Sequence, residues 1–69
     1  MEREETERLE QYLKKKLHPE LTLKARDKTS DSVEVYLGAE FLALVYKDVD
    51  EGETAYQFQM TVLEEDLDN

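Results

Sequence analysis

Residues 41–46 read Phe-Leu-Ala-Leu-Val-Tyr, six consecutive apolar side chains in a chain of 69 residues that is 39% charged. In a regular strand successive side chains point to opposite faces, which assigns Phe41, Ala43 and Val45 to one side and Leu42, Leu44 and Tyr46 to the other. Both faces then need cover. The chain carries the pattern of a single helix, and one helix shields one face of a sheet, so the second face calls for a loop, a tail or a second copy of the molecule. The run therefore bears on assembly, and it identifies no reaction.

The helix is expected over residues 2–17, where Leu9, Tyr12, Leu13 and Leu17 share one face at the i, i+3, i+4, i+8 spacing. Acids at Glu2, Glu4, Glu5 and Glu7 and bases at Lys14, Lys15 and Lys16 match the helix dipole, and Glu10 with Lys14 forms an i,i+4 pair worth ~0.3 kcal/mol. Pro19 ends the helix, because it disfavours helical backbone at His18 and has no N–H to donate. Beyond it, alternation predicts strands at about 21–26, 32–37, 41–47 and 54–63, with a polar turn at 27–31, a tight turn at Gly38 and a hairpin loop at 48–53. An acidic tail, 64–69, follows. Short connections make an antiparallel meander the simplest topology, so the expected fold is α+β, one domain over residues 1–69, with the N-terminal helix packed on a four-stranded antiparallel β-meander. One face is expected to hold Leu23, Val33, Val35, Phe41, Val45, Phe58 and Met60 under Leu9, Leu13 and Leu17. The other exposes Tyr36, Leu42, Leu44 and Tyr46, the candidate interface.

Charge narrows the partners. Residues 1–18 balance five acids against five bases, whereas residues 31–69 hold eleven acids against Lys47 alone, a local charge of −10 within a net −9. Such a surface repels nucleic-acid phosphates and anionic lipid, and neither nucleic acid nor membrane is expected as a partner. With no cysteine there is no disulfide or thiolate site, and nothing contradicts a reducing compartment. The longest apolar run falls far short of the ~20 residues that cross a bilayer, and the first residues lack a signal peptide's pattern, so a cytoplasmic location is expected. A chain this short buries only ~60% of its unfolded surface, which favours self-association.

The chemistry-bearing residues form no catalytic set. Asp48, Asp50, Glu51 and Glu53 suggest a calcium loop, but an EF-hand needs Gly sixth and Glu twelfth, whereas Gly52 is fifth and Gln59 twelfth. His18 is the single histidine and is expected at the helix C-terminus, where positive charge is favourable. Ser30 and Ser32 beside Asp31 suit turn hydrogen bonds, with only one histidine to serve as base. The four tyrosines, Tyr12, Tyr36, Tyr46 and Tyr56, lack a basic groove in which to stack bases, and packing accounts for them better. Glu64, Glu65, Asp66 and Asp68 sit in a terminal tail, a poor place for a positioned acid and base. No enzyme activity, metal or cofactor is expected.

Ser32-Val-Glu-Val-Tyr-Leu-Gly-Ala-Glu-Phe41, Tyr56-Gln-Phe-Gln-Met60 and the ending Leu63-Glu-Glu-Asp-Leu-Asp68 resemble a family of small alphaproteobacterial proteins, domain of unknown function 3126. The resemblance extends to the Leu9-Glu-Gln-Tyr-Leu13 helix and the His18-Pro19-Glu20-Leu21 junction. It implies a compact cytoplasmic domain and carries over no catalytic residue. Typical members have Gly where Ala43 stands and an acid near Ala39. The first seventeen residues also follow helix propensity closely, as a designed or redesigned domain would. Two functional classes therefore stand: a non-enzymatic interaction module that forms a homodimer or docks a protein on the second sheet face, and a designed domain whose property is its fold.

Overall fold

The computed structural model describes residues 1–26 and 31–68. Its elements are α1 (Arg3–Lys16), β1 (Leu21–Ala25), β2 (Ser32–Leu37), β3 (Glu40–Asp50), β4 (Glu53–Gln59) and a short 3-10 helix, Glu64–Asp68. The four strands form one antiparallel sheet in the order β1-β2-β3-β4. This is the α+β meander expected from the alternation. Most of the turn expected at 27–31, with Ser30, lies outside the described residues.

At the start of α1 the Glu5 carboxylate accepts the Glu2 N–H at 3.3 Å, satisfying a donor that has no partner inside the helix. At its end the N–H groups of Leu17 and His18 both donate to the Leu13 carbonyl, at 2.9 and 3.4 Å. The helix is thus one residue shorter at each end than expected, and Leu17 is a correction: it stands at the cap and is 59% exposed. Pro19 turns the chain so quickly that Leu21, 1% exposed, fills this end of the core. The other buried apolar residues are Leu13, Val33, Val35, Ala43 and Val45, with Leu9, Leu23, Leu37 and Leu42 packed around them.

Two tight turns set the register. Gly38 has φ +63° between paired Leu37 and Glu40, the positive φ that a type II′ turn requires at its first central residue. Glu51 and Gly52 both have positive φ, 50° and 83°, between paired Asp50 and Glu53, as in a type I′ turn. The expected six-residue loop at 48–53 therefore shrinks to two residues, and β3 runs on to Asp50. β4 stops at Gln59 instead of residue 63.

A β-bulge changes the faces of β3. Val35 pairs with Ala43 but Tyr36 pairs with Phe41, leaving Leu42 as the extra residue. The alternation slips by one there. Phe41 joins Tyr36 on the face away from the helix and is 52% exposed, while Leu42 packs against the core. Both residues lie on the opposite side from the one expected. A run that is apolar at every position conceals such a slip, because either register satisfies the pattern.

The helix also covers less of the sheet than expected. A helix about 10 Å across spans roughly two strands set 4.8 Å apart, and α1 packs chiefly against β1. Phe58 and Met60, expected in the core, are 37% and 51% exposed, and all seven residues of β4 are exposed.

Candidate interaction surface

Tyr36, Leu44 and Tyr46 of the expected interface share the sheet face away from α1, whereas Leu42 turns to the core. Phe41 takes its place. The Tyr36 and Phe41 rings meet edge to face with centroids 5.8 Å apart, and the Lys24 ammonium lies 5.0 Å from the Tyr36 centroid. The Tyr36 hydroxyl donates to the Glu34 carboxylate at 3.1 Å, which raises the tyrosine's pKa. One end of this face is thus already organised by its own side chains.

Beside it, a groove of about 350 Å³ opens where β4 ends. Phe41 and Leu44 form one wall, and Gln59, Leu63 and Asp66 the other. Asp66 belongs to the 3-10 helix, whose first turn donates the Asp66 N–H to the Leu63 carbonyl at 2.9 Å. Leu67, in the same 3-10 helix, is 68% exposed. The groove is lined by apolar carbon and three polar side chains, Gln59, Thr61 and Asp66, a surface suited to packing.

The sheet's two edges differ. Along the free side of β1, Leu21 donates its N–H to the His18 carbonyl at 3.2 Å and Leu23 donates to the Glu10 carboxylate at 2.8 Å, so helix and turn occupy that edge. β4 forms the opposite edge. Among the described residues no hydrogen bond reaches its outer side, and residues 54–63 are ten in a row without a charge or a proline. Native edges are ordinarily guarded by such residues or by a cover. The uncharged run is legible in the sequence, but its place at an open edge is not, and the bulge that exposes Phe41 left no signal there.

On the helix side, Glu5, Lys47 and Tyr56 form a clasp between α1, β3 and β4. Lys47 Nζ lies 2.9 Å from one Glu5 carboxylate oxygen and donates to the other at 3.2 Å, and the Tyr56 hydroxyl donates to Glu5 as well. The bond from Tyr56, followed by that from Lys47, pulls the Glu5 carboxyl down to about 2. The same bonds raise Tyr56 and Lys47. Every member is occupied by another, which makes the cluster a fastening between elements.

The remaining expected candidates are placed as follows. His18 Nδ1 accepts the Glu20 N–H at 3.0 Å, so its lone pair closes the turn into β1. Ser32 is buried and its hydroxyl oxygen accepts from Arg26 at 3.2 Å. Asp48 and Asp50 lie on β3 and Glu51 in the turn, and no group of three or more His, Cys, Asp or Glu side chains among the described residues is placed to hold a metal ion. Among those residues no helix is long and apolar enough to cross a membrane.

A sequence model of the family described as "Protein of unknown function (DUF3126)" matches residues 5–66. No curated protein and no solved structure matches the chain.

Proposed function

The chain belongs to the DUF3126 family of proteins of unknown function, and from that premise we propose that it is a non-enzymatic cytoplasmic interaction module that works as a homodimer. One observation carries this reading. The chain exposes 5724 Å², whereas a compact monomer of 8.1 kDa exposes roughly 4,500 Å². The excess of roughly 1,200 Å² exceeds the ~800 Å² that each partner contributes to a standard interface. The radius of gyration agrees, at 13.0 Å against about 11 Å for a compact chain of this length.

The exposed surface is also of the kind that interfaces use. Phe41, Tyr56, Phe58, Met60, Val62 and Leu63 all belong to the second half of the sheet and the segment after it, and each is more than one-third exposed. Apolar exposure of this extent in a small domain supports an association role. Among the described residues, the one cluster with a strongly shifted carboxylate, around Glu5, is internally satisfied, which supports a fastening role over a catalytic one.

Sedimentation equilibrium from micromolar to millimolar chain tests the reading. A dimer at micromolar concentration is expected, and a chain that remains monomeric at millimolar concentration removes the proposal.

A further inference from the structure

We infer that the homodimer forms by antiparallel pairing of β4 with β4 of a second copy, joining two four-stranded sheets into one of eight. The inference rests on the homodimer reading and adds its geometry. β4 is the sheet edge whose outer side carries no hydrogen bond among the described residues, while β1 has its Leu21 and Leu23 donors taken. A strand edge with free N–H and C=O groups is a template for another strand. Pairing there satisfies those groups and covers exposed surface at the same time.

Three features select a second copy as the occupant. First, both copies carry −9, yet residues 54–63 place no charge at the centre of such a contact, and Glu53 falls at its end. Second, with one edge open and the other occupied, like-with-like pairing closes at two chains and does not continue into a filament. Third, the strand is self-complementary. A two-fold axis perpendicular to a continuous sheet pairs residues of the same face, so it passes beside a single residue. Placed beside Gln57, it sets Tyr56 opposite Phe58 of the second copy, and Phe58 opposite its Tyr56. Both side chains lie on the helix side, as the pairing of Val45 with Phe58 and of Lys47 with Tyr56 shows. Aromatic cross-strand pairs are among the favourable ones. The same register sets Glu53 opposite Thr61, away from the other Glu53.

The absence of cysteine makes disulfide scanning clean. Gln57→Cys, Gln59→Cys and, as a control on the opposite edge, Thr22→Cys each introduce one thiol at an exposed position. Beside the axis the two Cα atoms stand about 5 Å apart, within disulfide reach. Two residues away they are separated by about 14 Å, which is out of reach. Mild oxidation should double the mass of Gln57→Cys on a non-reducing gel and leave the other two unchanged. In the wild type, the outward amides of β4 should exchange more slowly as concentration rises through the dimerisation range. Leu44→Glu, one strand in from the edge, should remain dimeric. A dimer whose β4 amides show no such protection, with Gln57→Cys crosslinking no better than Thr22→Cys, overturns the edge pairing and leaves the homodimer reading standing. Loss of the dimer in a folded Leu44→Glu chain with that same result moves the interface to the outer sheet face. A monomer at millimolar concentration overturns both.

Discussion

Glu5 lies early in α1, yet its carboxylate meets residues 42 and 51 positions away along the chain, Lys47 and Tyr56. Its pH dependence follows from the direction of its shift. The folded pKa, about 2, lies below the ordinary 4.5, so in the window between them the unfolded chain binds more protons than the folded one. The stability contributed by Glu5 is present above about 4.5 and is lost as pH falls through about 2. Glu5→Gln removes that contribution. Urea midpoints measured from pH 6 to pH 2 should therefore show wild type ahead at pH 6, with the two curves converging in acid. Parallel curves across that range contradict the clasp. None of this was visible in the sequence, where Glu5 is one of several acids that suit a helix N-terminus.

Among the elements, α1 shows how a local pattern can be right about type and wrong about extent. Leu9, Leu13 and Leu17 satisfy the same helical spacing, but the Leu13 carbonyl receives both terminal N–H groups and Leu17 falls outside the helix. Leu13→Ala should cost about 2–5 kcal/mol, as truncations of buried leucine do. Leu17→Ala should stay within about 0.5 kcal/mol, as expected of an exposed site. Equal losses in thermal or chemical denaturation would place Leu17 in the core after all. In β3 the limit on the reading is different. Alternation located the strand, but Leu42 at the bulge exchanges the faces of Phe41 and Leu42, and an all-apolar run has no polar residue to mark the exchange.

For the whole molecule, charge sets a condition on assembly that packing alone does not. Each chain carries −9, so salt that screens the repulsion between copies should strengthen the homodimer. Its dissociation constant is expected to fall as ionic strength rises from about 0.02 to 0.5 M, the range over which the Debye length shrinks from tens of ångströms to a few. Docking of a basic partner on the acidic half would respond in the opposite sense. Sedimentation at several salt concentrations separates the two, and weakening with salt would count against the second copy as occupant.

The sequence by itself determined the parts that depend on neighbours in the chain: the helix, the four strands, their meander order, and turns at Gly38 and Gly52. Period, proline and glycine act over a few residues, and short connections leave little choice of topology. Tertiary structure decided where the helix settles across the sheet, which edge it occupies through Glu10, how Glu5 fastens α1 to β3 and β4, and which side Phe41 and Leu42 take. Those outcomes arise from competition among distant surfaces for one helix's cover. A sheet four strands wide under a helix that spans about two leaves β4 exposed, and no local pattern states which strand that will be.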